Sequence, residues 1–264
     1  MNKQPIIETL LLSAGYGKGE STTVVVDNLS FSLYEGEFAL LLGCNGAGKS
    51  TLLRTISNVQ KPLSGEVKIC GENIENISPR ELAQKISAVF TDKTMAGGLR
   101  VEEVVALGRH PYTGFFGKIT KEDKEIIMSA LSLVGMGQKS KKYLSQLSDG
   151  ERQKVMIAKA LAQQTPLMIL DEPTAFLDLP SRVEILYLLR RLADEQGKAI
   201  LLSTHDVEQS LSVADKLLLF GDSDRVEFMP TQVAIENGAI DNLFISRGIE
   251  FNKQTGRFLP KLMI

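Results

Sequence analysis

GCNGAGKST, residues 43–51, lies between an apolar run at 38–42 and a helix-like stretch at 52–59. The segment fits the pattern G-x-x-x-x-G-K-[ST], and a strand before it with a helix after it is the context that supports such a match. Glycines let the backbone adopt conformations that side chains forbid, so the N–H groups of this loop can surround a phosphate. The helix that follows directs its positive end to the same place. We therefore expect a phosphate-binding loop here, and a glycine-rich structural turn is the alternative interpretation.

Individual residues of this loop have different expected roles. Lys49 supplies a point charge for the β- and γ-phosphates of a nucleotide, and the Ser50 hydroxyl is placed to bind Mg²⁺. The residues expected to line the nucleotide are Gly43, Asn45, Gly46, Ala47, Gly48, Lys49, Ser50 and Thr51.

A second motif, LMILDEPT at residues 167–174, places two carboxylates at the end of a buried apolar strand. Because ligands of α/β sheets gather at the carboxyl ends of strands, Asp171 and Glu172 should point into the phosphate site. Asp171 is suited to hold Mg²⁺, directly or through water. Glu172 is suited to act as a general base that polarises a water for attack on the γ-phosphate. A pair of acidic turn residues is the alternative interpretation.

A third motif, LSDGE at residues 147–151, has two interpretations. Ser148 and Glu151 have the spacing of a capping box, so the motif taken alone indicates the start of an ordinary capped helix. Its position about twenty residues before the Asp171 strand, in a chain that already contains a phosphate loop, favours a role in the same chemistry.

Length and composition limit the class of protein. The chain has 264 residues, 43% hydrophobic and 23% charged, which is ordinary for one large globular domain or two small ones. The net charge of −2 gives no reason to expect nucleic acid as a partner. We interpret the basic run of Lys139, Lys141 and Lys142 as a solvated face. Cys44 and Cys70 are the two cysteines, which fits a reducing compartment and no disulfide framework.

Apolar runs that alternate with helical stretches predict an α/β fold. Five runs are expected to be buried strands of a mostly parallel sheet: 38–42, 86–90, 167–170, 199–203 and 217–220. Short β-prone pieces at 6–12, 23–26 and 31–34, joined by Gly, Asp and Asn turns, indicate an antiparallel arm beside that sheet. Residues 91–163 contain no convincing strand and are expected to form an inserted helical subdomain.

Together the motifs resemble those of the ATP-binding cassette (ABC) family, the motor subunits of ABC transporters. GCNGAGKST is similar to the Walker A motif, LMILDE to the Walker B motif and LSDGE to the signature motif LSGGQ. Residues 175–178 resemble the D-loop, His205 resembles the switch histidine, and Tyr16 stands where the family has an adenine-stacking aromatic residue. The resemblance covers nearly the whole chain. It implies a P-loop NTPase fold as a single domain, 1–264, with a catalytic core of 1–90 and 164–264 and a helical subdomain of 91–163.

The resemblance implies that the chain binds ATP with Mg²⁺ and hydrolyses it. Two copies would pair head to tail, with each ATP between the Walker A loop of one copy and the signature motif of the other. Ser148 and the Gly150 backbone would then face the γ-phosphate in trans. The catalytic roles would belong to Glu172, His205 and Lys49.

Two of these assignments have a plain alternative. His205 follows an apolar strand that should lie beside the Asp171 strand, where it could sense the γ-phosphate, but a lone histidine there can also be a structural hydrogen-bonder. Tyr16 could stack on the base or simply pack on the β arm.

The chain departs from the family pattern at two places. Thr91 occupies, by alignment, the position of a glutamine that in the family touches the Mg²⁺ site and links it to the transporter subunit. Thr91 offers a hydroxyl as a metal ligand, and Asp92 offers a carboxylate one residue on. In the signature motif, Asp149 replaces a glycine and Glu151 a glutamine, which we interpret as tolerated because the phosphate-facing positions are kept.

Residues 101–117 resemble importers of ferric siderophores, haem and vitamin B12, through V-x-x-V-V-x-x-G-R-x-P-Y and the aromatic-glycine turn after it. In that group this face docks on the membrane subunit, although Tyr112, Phe115 and Phe116 can also simply pack the helical subdomain. The resemblance implies an importer ATPase with a membrane-spanning permease and an extracytoplasmic substrate-binding protein as partners. Since no apolar run approaches the roughly 20 residues that span a bilayer, it would lie peripherally on the cytoplasmic face of the cell membrane. The alternatives are an ATPase of another ABC transporter class, or a soluble ABC ATPase such as one acting in iron–sulfur assembly.

Overall fold

A computed structural model describes residues 4–17, 21–90, 98–114, 117–221, 225–243, 249–253 and 255–260. Its central sheet has six strands: β3 (Phe38–Gly43), β6 (Ile86–Val89), β7 (Leu167–Asp171), β8 (Ala199–Ser203), β9 (Lys216–Phe220) and β10 (Val226–Pro230). They lie in the order β10-β9-β3-β8-β7-β6, and only the outer pair of β9 and β10 is antiparallel. The prediction of an α/β fold with a mostly parallel sheet is confirmed. The half-exposed edge strand β10 was not predicted, because it lacks the continuous apolar run of a buried strand.

The antiparallel arm is a second sheet of four strands, β1 (Ile7–Tyr16), β2 (Thr23–Leu33), β4 (Ser64–Ile69) and β5 (Glu72–Asn73). Their order is β2-β1-β4-β5, and every neighbouring pair is antiparallel. This confirms the antiparallel arm, and the strands within residues 64–73 are an addition that was not predicted.

The expected turn within residues 27–30 is not a chain reversal. Residues 23–26 and 31–34, expected as separate pieces, form one continuous strand opposite β1, with register shifts at the middle of the pair. The Ser13 hydroxyl donates to Oδ1 of Asp27 at 2.8 Å and accepts from the N–H of Asn28 at 3.1 Å. Asn28 has a φ of 51°, a backbone conformation that asparagine adopts more readily than most residues. Asp27 and Asn28 lie together opposite the single residue Ser13, which makes this part of the strand pair a β-bulge.

The helices are α1 (Lys49–Ile56), α2 (Pro79–Lys85), α3 (Val101–Ala106), α4 (Lys121–Leu133), α5 (Asp149–Ala162), α6 (Leu179–Gln196), α7 (Val207–Leu211), α8 (Thr231–Asn237) and α9 (Ala239–Asn242). Three of them start at capping boxes, formed by Ser78 with Glu81, Thr120 with Asp123 and Ser148 with Glu151. In each box a side-chain oxygen and a carboxylate satisfy N–H groups that the helix itself leaves unpaired.

Two hydrophobic cores lie on opposite faces of the central sheet. Because side chains alternate along a strand, Phe38, Leu40 and Leu42 of β3 pack into one core, and Ala39 and Leu41 pack into the other. The first core includes buried residues of α3, α4, α5 and α6, and the second joins α1 to the antiparallel sheet. Both cores fix the end of β3, where the glycine loop begins.

Residues 98–114 and 117–163 contain helices and short 3₁₀ turns but no named strand, as the sequence predicted. The division into a core of 1–90 and 164–264 and a helical subdomain of 91–163 remains a prediction. The C-terminal part of the chain ends in a hairpin of β11 (Ile249–Asn252) and β12 (Arg257–Pro260). None of the described helices has the length and apolar content that crossing a membrane requires.

Candidate functional site

The glycine loop turns directly from β3 into α1. Gly46 and Gly48 have φ values of 82° and 99°, in the left-handed region that favours glycine. Gly48 is also the N-cap of α1, and a Cβ placed on it would lie 2.9 Å from Cβ of Val25. Glycine is therefore required at position 48 both for its backbone angles and for the close approach of the antiparallel sheet.

Lys49 is held inside this loop, with only 5% of its surface exposed. Its Nζ donates to the carbonyl oxygens of Gly43 at 2.7 Å and Cys44 at 3.0 Å. Burial lowers the pKa of the ammonium group, and the nearby carboxylates of Glu172 and Asp171 act in the opposite direction. The structure thus places one cation at the centre of the loop, facing two carboxylates.

An open cavity of about 470 Å³ lies over the loop. It is lined by Tyr16, Val25, Asn45, Gly46, Ala47, Gly48, Lys49, Ser50, Thr51, Glu172 and His205. The cavity therefore brings together the end of β1, the glycine loop and the residues that follow β7 and β8, which are far apart in sequence. Tyr16 lines the cavity and is 57% exposed, so its side chain is accessible to a ligand.

The two carboxylates at the end of β7 have different surroundings. Asp171 is buried, and its Oδ1 accepts from the Ser203 hydroxyl at 2.5 Å. The N–H of Glu172 donates to the Ser203 carbonyl at 3.1 Å, and its φ of 51° is unusual for a residue other than glycine. Backbone strain of this kind is concentrated at functional sites. The left-handed backbone conformation at Glu172 turns the chain here, and the Glu172 side chain lines the cavity.

His205 completes this side of the cavity. Its Nε2 lies 2.5 Å from Oε1 of Glu172, so the imidazole can donate to the carboxylate. The His205 side chain is 45% exposed and that of Glu172 is 26% exposed. Both can therefore reach a ligand while they contact each other.

Ser148 and Gly150 do not line this cavity. Ser148 is the exposed N-cap of α5, where its side chain accepts from the N–H of Glu151. Glu151 in turn binds the N–H of Ser148 and pairs with Lys139. The Lys139 side chain remains 39% exposed in this pair, and Lys141 and Lys142 are exposed, so the basic run faces solvent while one of its members also pairs with Glu151. A Cβ on Gly150 would lie 2.9 Å from the carbonyl oxygen of Phe176, so glycine is required there for close packing.

The comparisons with known proteins identify the family. The family model described as ABC transporter matches residues 26–175, more than half of the chain. An uncharacterized ABC transporter ATP-binding protein of Methanocaldococcus jannaschii is 38% identical over 96% of this chain and 86% of its own length. This chain belongs to the ABC transporter ATP-binding family. It is an ABC ATPase, which binds and hydrolyses ATP.

Two further relatives of this ABC ATPase are informative. The iron(3+)-hydroxamate import ATP-binding protein of Bacillus subtilis is 40% identical over 77% of this chain and 74% of its own. A dimeric ATP-binding cassette in a post-hydrolysis state, bound to ADP and Pi, has a TM-score of 0.76 and 28% identity, covering 85% of this chain and 98% of the other. The fold of this chain is thus similar to that of a cassette with bound ADP and Pi.

The residues of this ABC ATPase fit a metal ion that is bound mainly by nucleotide. No group of three or more His, Cys, Asp or Glu side chains suited to a metal occurs within the described ranges. Mg²⁺ typically takes one or two carboxylates together with phosphate oxygens and water, rather than an all-protein cage. A buried Asp171 and a Ser50 that lines the cavity match that requirement. Thr91, the third expected ligand, lies outside the described residues, as does Asp92.

Three residues that contact the expected site residues or their neighbours were not predicted to do so. Ser203 bridges Asp171 and the Glu172 backbone, and its position as the last residue of a buried strand beside β7 was the available signal. Arg182 and Lys139 contact residues that lie 24 and 12 positions away in sequence, and no local pattern marks such contacts.

Arg109, within the segment of residues 101–117 that is expected to dock on a membrane subunit, fixes that segment to the rest of the helical region. Arg109 is 6% exposed, and its Nε donates to Oδ1 of Asp123 at 2.8 Å. Its Nη1 donates to the Ala162 carbonyl at 2.8 Å, and its Cζ lies 4.2 Å from the centre of the Tyr112 ring. Arg109 therefore has a structural role, and Tyr112 packs on it while remaining 38% exposed. Phe115 and Phe116 lie outside the described residues.

Proposed function

We propose that this chain is the ATPase subunit of an importer for ferric siderophores, haem or cobalamin. The similarity to an iron(3+)-hydroxamate import ATP-binding protein, at 40% identity over 77% of the chain, is the observation that carries the proposal. The segment around Arg109 supports it, because its buried arginine holds Tyr112 and the adjoining surface in a fixed position where a membrane subunit could bind.

In this proposal the nucleotide lies in the cavity of about 470 Å³. Tyr16 stacks on the adenine, and the backbone N–H groups of residues 43–51 surround the phosphates. Lys49 exchanges its two carbonyl partners for phosphate oxygens, which adds full negative charges to the carbonyl oxygens and the two nearby carboxylates that compensate the buried ammonium group. Ser50, Asp171 and Thr91 would hold Mg²⁺, and the ion would supply positive charge against the phosphates.

Hydrolysis in this proposal depends on the pair of Glu172 and His205. The Glu172 carboxylate accepts a proton from the attacking water as the new bond to the γ-phosphorus forms and the bond to the β-phosphate oxygen breaks. His205 contacts that carboxylate through Nε2, and the same N–H turns to donate to the γ-phosphate once ATP is bound. The products are ADP and Pi. Lys49 stabilises the negative charge that develops on the β-phosphate of the departing ADP.

We further propose that two copies of the chain pair head to tail. Ser148 is exposed and lies outside the cavity of its own chain, as expected of a residue that serves the nucleotide of a partner. A helix N-terminus favours an anion by about 0.3–1 kcal/mol at exposed sites. The start of α5 alone therefore cannot close the dimer, and the shared nucleotide must contribute most of the closing energy.

The remaining partners are a membrane-spanning permease and an extracytoplasmic substrate-binding protein, and the chain lies peripherally on the cytoplasmic face of the cell membrane.

Affinity purification from detergent-solubilised membranes of the native cell, followed by mass spectrometry, tests this assignment. We expect a polytopic subunit of the iron-complex or cobalamin type to co-purify. Recovery of a permease of another class, or of the protein without a membrane partner, would contradict the proposal in favour of another ABC transporter class or a soluble ABC ATPase.

A further inference from the structure

Arg182 bridges two loops that leave neighbouring strands of the central sheet. It lies in the first turn of α6, and its Nε donates to the carbonyl oxygen of Leu177 at 2.8 Å. Its Nη1 donates to Oδ1 of Asp206, also at 2.8 Å. One guanidinium group therefore joins the loop at 172–178, which follows β7, to the loop at 204–206, which follows β8.

The loop at 172–178 is a series of tight turns. The N–H of Ala175 donates to the Glu172 carbonyl at 3.2 Å, and the N–H of Leu177 donates to the Thr174 carbonyl at 3.1 Å. A displacement of Leu177 by Arg182 would therefore be passed along the turns to Glu172, which lines the nucleotide cavity.

The far end of the same loop packs against the start of α5. The position of a Cβ on Gly150 lies 2.9 Å from the Phe176 carbonyl oxygen and 3.3 Å from Cδ2 of Leu177. The helix start that carries Ser148 thus rests on the loop that Arg182 holds. On its other side, Arg182 holds Asp206, the neighbour of His205, which contacts Glu172.

We infer that Arg182 is a positioning residue that keeps the His205 loop and the loop packed on Gly150 in one fixed arrangement. Through this arrangement, a change at the nucleotide site of one chain displaces the start of its own α5. That helix start contacts the nucleotide bound to the partner chain. This inference rests on the proposed function, because it uses His205 and Glu172 as γ-phosphate residues and α5 as the element acting in trans.

The chemistry of arginine suits this role. A guanidinium group presents its N–H donors in a rigid plane, so it can hold two acceptors at a fixed mutual angle, as a lysine ammonium group cannot. The side chains of Arg182 and Asp206 are 31% and 26% exposed. An ion pair with this much access to solvent adds little to the stability of the fold. Its loss should therefore change the geometry of the site more than the free energy of unfolding.

A double-mutant cycle on ATP hydrolysis tests the inference, using Arg182→Gln, Asp206→Ala and the double variant. We expect each single variant to lower kcat about tenfold, as small misplacements of catalytic groups do, with KM for ATP changed less than about twofold. The double variant should be no slower than the slower single variant, because both changes break one bridge. The Hill coefficient for ATP should fall toward one. Arg191→Gln is the matched control, since Arg191 forms an exposed pair with Glu195 on the same helix, and it should behave as the parent.

Three results would overturn the inference: a kcat of Arg182→Gln within twofold of the parent, reductions that multiply in the double variant, or a lower urea midpoint with unchanged kcat. Asp206→Ala removes the acceptor of the bridge and leaves Arg182 in place, so it tests the bridge even if Arg182→Gln folds poorly. His205→Ala, measured alongside, separates the two proposals. Parent turnover in His205→Ala contradicts the proposed role of His205, whereas lost turnover there with parent turnover in Arg182→Gln contradicts only the inference.

Discussion

His205 and Glu172 contact each other across two neighbouring parallel strands, with Nε2 of the imidazole 2.5 Å from Oε1 of the carboxylate. The contact depends on the register of β7 and β8, in which Asp171 lies opposite Ser203. Glu172 directly follows Asp171 in the sequence, and His205 lies two residues after Ser203. The geometry of the proposed reaction is therefore set by the sheet, before any nucleotide binds.

Glu172→Gln should abolish most ATP turnover while it leaves ATP binding intact. An amide cannot accept the proton of the attacking water, and general-base catalysis contributes about 10²–10⁴-fold, so kcat should fall by at least about 100-fold. The variant should also accumulate as an ATP-bound dimer on size-exclusion chromatography, because the bridging nucleotide is not consumed. Glu184→Gln, an exposed change on α6, serves as the control. Turnover at the parent rate in Glu172→Gln would show that another group is the base.

Ser203→Ala should raise the Mg²⁺ concentration needed for half-maximal ATPase activity. The change removes the hydroxyl that donates to Asp171, so the carboxylate loses a hydrogen bond that helps to orient it. Ser87→Ala is a matched control, because Ser87 is also fully buried and hydrogen-bonded, but to Thr165 at the opposite end of the sheet. Both variants should lose about 1–3 kcal/mol of unfolding free energy. Only Ser203→Ala should change the Mg²⁺ titration, and an equal change in both would contradict the assignment of Asp171.

Lys139→Gln should change how stability depends on pH. The ammonium of Lys139 and the N–H of Ser148 hold the pKa of Glu151 below its ordinary value. A carboxyl group with a lowered pKa in the folded state stabilises the fold above its unfolded pKa, and this contribution is lost as the pH falls through the folded pKa. The pair is partly exposed, so we expect Lys139→Gln to cost about 0.2–1 kcal/mol at neutral pH and nothing in acid. Urea unfolding at both pH values measures this, with a change of the exposed Lys124 of α4, Lys124→Gln, as the control. A deficit of the same size at both pH values would contradict the pairing.

Arg109→Met should strongly destabilise the fold. Arg109 and Asp123 are both more than nine-tenths buried, and removal of one partner of a buried pair typically costs about 3–5 kcal/mol because the other charge is left uncompensated. Chemical denaturation gives the free energy of unfolding directly. Arg191→Met, which breaks an exposed pair, should stay within about 0.5 kcal/mol of the parent. A small effect of Arg109→Met would mean that Arg109 is free to contact a partner instead.

Local sequence patterns were sufficient for the parts of the site that are local. The glycine loop, the carboxylates after β7 and the cap at Ser148 each depend on a few consecutive residues, so their positions could be predicted. The bridge of Arg182 to Asp206 and the pair of Lys139 with Glu151 could not, because they depend on how separate loops pack. The bulge at Asp27 was mistaken for a turn for a related reason: its stabilising hydroxyl comes from the neighbouring strand.

Uptake by intact cells tests the central claim most directly. A strain that lacks this gene is complemented with the parent chain or with Lys49→Ala, and uptake of labelled ferric siderophore, haem and cobalamin is measured separately. We expect the parent to restore uptake of at least one of the three, and Lys49→Ala, which cannot hold the phosphates, to restore none. Undiminished uptake of all three in the strain without the gene would contradict the proposal that this ABC ATPase energises such an importer.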